Sequence, residues 1–339
     1  MPNWNLLRCP ACLHEGNLDK TEWTCAYCDK SYPRYGSVID FRISDARLNL
    51  SFSHLNTKRR ESERIVRALA LSPGATLEDM VRNYFSEFPT SDSIQHAEGR
   101  TLLRADEDGR AVQLTMSQAI PLTEVAARDQ STFLELGCGT AGLTRTLGSK
   151  FGTAVALDAD IDRMMLAQKA CEESGLRNAI LICAYGEQMP FAPGTFDLIS
   201  AVEVLEHVTS QEQFLRSIHR TLKAGGSLYL TTPNRHSLGR EPHVMLWGVG
   251  FLPRRWMNSY VRFRIGLPYE GKRNLSYWEL SRLLRRFFGK EFSFCRSHPQ
   301  TYSTSGRMAN WLGRVPVVGS AVHLIRSGQK VVARKPVYL

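Results

Sequence analysis

No apolar run in this 339-residue chain approaches the ~20 residues that a bilayer-spanning helix needs. Its opening, MPNWNLLRCP, has neither the basic nor the apolar stretch of an export signal. These absences argue against a bilayer-spanning chain and against export by a standard signal peptide, and the expectation is a cytoplasmic protein, at most peripheral to a membrane. A disulfide framework is missing too. Cys138, Cys171, Cys183 and Cys295 fall singly through apolar or mixed surroundings, as reduced thiols do.

What remains is ordinary globular composition, 43% apolar and 22% charged, in a chain long enough for one large domain and a smaller one. The formal net charge of +10 points to anionic partners: nucleic acid, a phosphorylated small molecule or a membrane surface. Charge alone does not choose among them.

The other four cysteines are concentrated in CPACLHEGNLDKTEWTCAYC, where Cys9 and Cys12, then Cys25 and Cys28, form two C-x2-C knuckles twelve residues apart. Each knuckle turns the backbone so that two thiolates converge, and four thiolates satisfy tetrahedral zinc. Such a site has no open coordination position, so the metal is structural. A segment of this size buries little core, and the metal supplies the missing folding energy. Residues 1–43 are therefore expected to be a zinc ribbon. With the following SYPRYGSVIDFR, the segment resembles the small zinc-ribbon proteins that partner and activate methyltransferases, which implies a docking or stabilising module fused in cis. The competing reading is a nucleic-acid-binding ribbon. Against it, Lys20 faces Glu15, Asp19 and Glu22 between the knuckles, poor chemistry for phosphates.

Residues 44–128 carry helical periodicity in ERIVRALAL and LEDMVRNYF, broken by SPG and FPTSDS, with no repeat or low-complexity tract. The expectation is a helical connector packed on the next domain. A lid over the substrate is the alternative.

The third part, 129–339, opens on FLELGCGTAGL, a strand running into a glycine loop at Gly137, Gly139 and Gly142. Glycine lets the backbone turn tightly and approach a ligand closely. Alone, the pattern is a weak dinucleotide fingerprint, and Glu135 at the strand end conflicts with it. A dinucleotide would place its pyrophosphate on the helix that follows, with a carboxylate close by in a partly dehydrated site. S-adenosylmethionine has no phosphate and carries a sulfonium and an ammonium, so a carboxylate suits it. Asp158 ends the next strand nineteen residues after Gly139, where a carboxylate accepts hydrogen bonds from both ribose hydroxyls. Strands alternating with helices then predict a doubly wound, Rossmann-like α/β sheet with ligands at the strand C-termini. KEFSFCRSH and KVVARKP read as its closing antiparallel pair.

Residues 131–234 resemble the class I S-adenosylmethionine-dependent methyltransferases, in particular the group that includes ubiquinone-type biosynthetic enzymes. The matching pieces are LELGCGTAG, ALDADIDRMM, GEQMPF, FDLISAVEVLEHV and LKAGGSLYLTTPN. The resemblance implies that Glu135 and Gly137 border the methionine moiety, that Asp158 holds the ribose, and that Glu187 and Gln188 contact adenine. Two positions depart from the family: Ala141 stands where glycine is frequent, and Tyr185 where an aspartate commonly bonds the adenine amino group.

Methyl transfer asks the protein mainly to position the acceptor and exclude water; a hydroxyl acceptor also needs a base. His207, in VLEHV at the strand mouth, is the first candidate, and His236 and His243 are weaker ones. Its bland alternative is packing at the start of the next helix. An insert at 235–275 carries eight Lys or Arg against two Glu, interleaved with Trp247, Phe251, Trp256, Tyr260, Phe263 and Tyr269. That mixture suits a phosphorylated or sugar-bearing substrate, an anionic membrane or RNA. A second insert, 299–328, contains the apolar-basic WLGRVPVVGSAVHLIR. The leading expectation is a methyltransferase acting on oxygen of a small-molecule, glycan or lipid-linked anionic acceptor. RNA base methylation is the alternative, and a non-catalytic binder of cofactor or partner the third.

Overall fold

The computed structural model describes residues 3–42, 74–87, 99, 102–128, 130–266, 268–295 and 328–337. Its centre is four parallel strands: β5 (Thr132–Leu136), β6 (Thr153–Asp158), β7 (Ala179–Cys183) and β8 (Phe196–Val202). TFLEL, AVAL, AILIC and LISAV are almost unbroken apolar runs, as strands covered by helices on both faces must be. With β9 (Leu222–Pro233), β10 (Phe292–Phe294) and β11 (Gly328–Arg334) they run in the order β7-β6-β5-β8-β9-β11-β10. β11 is antiparallel to both its neighbours, as the closing pair predicts. The chain winds outward from β5 to β7, then returns to start the other half at β8. The crevice for a ligand therefore opens between the C-terminal ends of β5 and β8. This is the doubly wound α/β fold expected.

The helices are fixed by local signals. Helix α6 (Gln211–Thr221) starts with the Ser210 side chain accepting from Gln213 N, and α8 (Tyr277–Phe288) with a capping box between Ser276 and Glu279. Of the 44–128 stretch, the described parts include three helices: α1 (Leu77–Glu87), α2 (Ala105–Ser117) and α3 (Leu122–Ala126). Residues 43–73 and 88–98 lie outside the described residues, as does the 299–328 insert except for Gly328. Helix α2 crosses directly behind the glycine loop. A Cβ on Gly142, the first residue of α4 (Gly142–Leu147), would lie 1.9 Å from the Ala105 carbonyl oxygen. On the α2 side, a Cβ on Gly109 would lie 2.4 Å from the Gly142 oxygen.

The N-terminal ribbon is not set apart from this sheet. Strands β1 (Gly16–Leu18), β2 (Glu22–Cys25) and β3 (Ser31–Tyr35) form an antiparallel meander. Strand β4 (Val38–Asp40) then pairs in parallel with β7, extending one sheet to eleven strands among the described residues. A boundary at residue 43 therefore follows the sequence pattern, while in space β4 belongs to the large sheet. The physical reason is the edge of β7, whose peptide groups need partners. Val38 and Ile39 are fully buried there, and Trp23, Tyr32 and Phe41 enter the same core as Phe191, Phe196 and Phe214. The 235–275 segment leaves the sheet after β9 and returns to it before α8. A bridge between Asn234 and Leu275 joins its two ends, and Val249, Met257 and Val261 give it a small core of its own.

Gly142→Ala forces backbone apart between α2 and α4, so it is expected to lower unfolding free energy by about 1–3 kcal/mol. Urea denaturation of the variant beside the parent checks this.

Candidate active site

The glycine loop does what its sequence demands. Gly137 and Gly139 have φ of +65° and +52°, in the left-handed region that side chains resist, and a Cβ on Gly137 would strike Val204 at 2.3 Å. Nothing lies within 4 Å of where a Cβ on Gly139 would stand, so the loop presents open backbone to the crevice. Ala141 also takes φ of +58°, without the glycine that such a conformation favours.

Two carboxylates engage this loop. Glu135 accepts from Leu143 N at 3.2 Å and from both the backbone N and Oγ1 of Thr144 at 2.6 Å. It is therefore the N-terminal cap of α4, a role residue type alone leaves open. Burial pushes its carboxyl up to about 7, against the pull of the Thr144 and Leu143 bonds. Asp158 accepts from Gly139 N at 2.9 Å and from Asp160 N at 3.0 Å. Burial, and then the neighbouring Asp160, push it up to about 6. The amides of Gly139, Leu143 and Thr144, which a pyrophosphate would require, are thus already bonded to carboxylates. The loop suits a cationic ligand, and the fit to S-adenosylmethionine rests on that donor set.

Glu187 and Gln188 lie in a single 3-10 turn, Gly186–Gln188, following β7. Glu187 accepts from Thr209 N at 2.8 Å, tying this turn to the loop after β8. The Gln188 Oε1 is buried without a hydrogen-bond partner among the described residues. Beside them stands a pair the sequence reading passed over. Asp40 ends β4 in register with Cys183, and its carboxylate holds Arg42 at 2.7 Å, both nearly buried. Arg42 Nη1 also donates to the Ala159 carbonyl at 3.3 Å, so the ribbon reaches the loop that carries Asp158. The signal was DFR directly after an apolar strand, legible only once that strand is known to join the sheet.

At the opposite side of the crevice the structure brings together His207 and His243, with ring centroids 5.1 Å apart. His207 follows β8, as expected, with its side chain about half exposed. Partial burial, then His243, Lys272 and Arg163, depress it to about 4, so it is neutral at neutral pH and a weak base. His243 is differently held. Its Nδ1 lies 2.6 Å from Glu241 Oε1, a buried carboxylate that also receives Asn274 Nδ2 at 3.0 Å and the Tyr269 hydroxyl at 3.2 Å. His243, Asn274 and the Val244 amide hold Glu241 below its ordinary range in spite of burial. In the neutral ring a carboxylate on Nδ1 favours the proton there, which leaves Nε2 as the acceptor. His236 stacks on Phe251 instead, 5.7 Å between ring centroids. Glu206 is buried against Thr232 Oγ1 at 2.9 Å; its Oε1 has no hydrogen-bond partner among the described residues and lies 3.9 Å from His207 Nε2. Ligand atoms of Glu206, His207 and His243 all lie within 4.8 Å of one another, near enough to share a divalent cation.

In the ribbon, Sγ–Sγ distances are 3.7 Å for Cys9–Cys28, 3.5 Å for Cys12–Cys25 and 3.6 Å for Cys12–Cys28. Four thiolates about 2.3 Å from a tetrahedral zinc stand about 3.8 Å apart, so the cluster is already near the size zinc requires.

Comparison with known proteins places these features in context. Residues 134–230 match the methyltransferase domain family. The chain is 31% identical over 102 residues to the ubiquinone biosynthesis O-methyltransferase of Methylococcus capsulatus, covering 30% of this chain and 43% of that protein. It is 34% identical over 110 residues to the mitochondrial enzyme of that name from Homo sapiens, covering 31% of this chain and 29% of that one. With the mitochondrial 2-methoxy-6-polyprenyl-1,4-benzoquinol methylase of Leishmania donovani it shares 32% over 142 residues, 37% of this chain and 49% of the other. The chain thus spans less than half the length of each of these relatives. Among solved structures, phosphoethanolamine N-methyltransferase 2 of Haemonchus contortus, in complex with S-adenosyl-L-methionine, superposes with a TM-score of 0.44 at 14% identity, covering 65% of this chain and 53% of that one.

Glu241→Gln places an amide donor against the Asn274, Tyr269 and His243 donors. It is expected to cost about 1–3 kcal/mol of stability. Denaturation of the purified variant measures the loss, and an unchanged midpoint would remove Glu241 as the organiser of this corner.

Proposed function

We propose that the protein is an S-adenosylmethionine-dependent methyltransferase acting on an oxygen of a small-molecule, glycan or lipid-linked acceptor. The observation that carries this reading is the engagement of the loop amides of Gly139, Leu143 and Thr144 by Asp158 and Glu135. It leaves no amide cradle for a pyrophosphate and a negative rim for a sulfonium. Bound S-adenosylmethionine supplies an activated methyl carbon. Asp158 accepts from the ribose hydroxyls, and Gln188 Oε1 is suited to the adenine amino group, in place of the aspartate that Tyr185 replaces. On the acceptor side His243 Nε2 takes the hydroxyl proton, and Glu241 stabilises the imidazolium that results. The neutral His207 ring packs beside it, closes the corner and orients the acceptor. The support for an oxygen acceptor is this oriented histidine together with the O-methyltransferases among the relatives. Cys9, Cys12, Cys25 and Cys28 hold one structural zinc in this reading.

Purified protein given methyl-labelled S-adenosylmethionine and host extract is expected to label the soluble-metabolite or lipid fraction. Label confined to RNA would contradict the acceptor, and label in no fraction would contradict the activity.

Asp158→Asn removes the charge while keeping the shape of the side chain. We expect cofactor affinity to fall roughly ten-fold or more, as when two charged hydrogen bonds are weakened. A carboxyl raised to about 6 in the free protein must ionise to accept from both ribose hydroxyls. Affinity of the parent should therefore fall as pH drops through about 6, and fall less steeply in the variant. Calorimetry across that pH range reads both effects.

Metal analysis should find one zinc bound by the four cysteines, and stripping it should lower the thermal midpoint, since β4 joins ribbon and sheet. No change on stripping would exclude a structural role for the metal.

A further inference from the structure

The helix α7 (Arg254–Ile265) in the 235–275 excursion buries only one narrow stripe. Met257 and Val261 face the local core. On the other side stand Trp256, 54% exposed, and Phe263, 87% exposed. They are seven residues apart, two helical turns, and so share one face. Arg255 and Arg262 repeat that spacing on the adjacent face, and neither forms an ion pair among the described residues. From Phe251 to Tyr269 the sequence contains four arginines and no acidic residue. Trp247 and Phe251, 62% and 49% exposed, lie 6.4 Å apart between ring centroids and enlarge the apolar surface.

We propose that this face of α7 docks the enzyme on an anionic lipid bilayer, with Trp256 and Phe263 in the interface and Arg255 and Arg262 on lipid phosphates. Aromatic and cationic stripes side by side on the outer face of an amphipathic helix match the layering of a bilayer surface, apolar below and anionic above. Single-stranded RNA asks instead for rings open to base stacking. Here the Arg255 guanidinium lies over the Trp256 ring, 5.2 Å from its centroid. The excursion is also anchored to the acceptor corner. Tyr269 N donates to Asn258 Oδ1 of α7 at 2.9 Å, and the Tyr269 hydroxyl reaches Glu241, the partner of His243. A bilayer bound at α7 would therefore lie beside the site where an acceptor enters. No helix among the described residues is long and apolar enough to cross a membrane, so the contact is one of surface docking.

The test is co-sedimentation of the full chain with vesicles, without cofactor or turnover, so its outcome is independent of the proposed reaction. Binding to phosphatidylglycerol–phosphatidylcholine vesicles is expected, weakened by salt and much weaker on phosphatidylcholine alone. Arg255→Gln with Arg262→Gln should reduce binding roughly thirty-fold, about five-fold for each arginine near an anionic surface. Trp256→Ser with Phe263→Ser should abolish stable association while the denaturation midpoint holds, because neither ring belongs to the buried stripe. Absence of binding to the anionic vesicles, or binding unchanged in both double variants, overturns the proposal. So does tighter binding of a single-stranded RNA oligonucleotide that depends on the same four side chains.

Discussion

The N-terminus of α4 is held by a buried carboxylate, and the ligand chemistry of the crevice depends on that fact. A helix start presents unpaired amides, which in nucleotide-binding folds are the anion site. Here Glu135 occupies the amides of Leu143 and Thr144, and Asp158 the amide of Gly139. The same glycines that allow a tight turn therefore frame a negative rim. Because burial raises both carboxyls, each gains from a cation placed beside it. The preference for a sulfonium cofactor is thus a property of how this loop is wired, and the glycine spacing alone does not supply it.

The ribbon bears on the same crevice from outside. Its last strand completes the edge of β7 and delivers the Asp40–Arg42 pair to the carbonyl of Ala159, next to Asp158. Through that splice, the order of four cysteines at one end of the chain supports the placement of a cofactor-side loop more than a hundred residues away. A module joined this way acts as part of the sheet. The connector adds a second brace, with α2 lying against α4 where only glycines allow the approach.

Much of this was legible in the residues because it is written in local periodicity. The parallel strands are long apolar runs, the cysteine knuckles have fixed spacing, and Asp158 stands in register with Gly139. What was not legible depends on contacts distant in sequence. That Val38 and Ile39 pair with β7 follows from an edge strand needing partners, which no local pattern announces. That Glu135 caps α4 is not legible from its residue type, since only the orientation of its carboxylate shows it. Glu241 was passed over because an acidic residue in a basic loop reads as a surface charge. Its role emerges only when His243, Tyr269 and Asn274 converge on it. His207 was found by its place after β8, yet its depressed basicity comes from burial and from His243, a residue thirty-six positions on.

The most direct test of the central claim is calorimetric titration of the purified protein with S-adenosylhomocysteine and, separately, with NAD. The loop described here predicts saturable binding of one S-adenosylhomocysteine per chain and none of NAD. Binding of NAD in preference would show that the amides held by Glu135 and Asp158 are released to a pyrophosphate, and would contradict the account at its root.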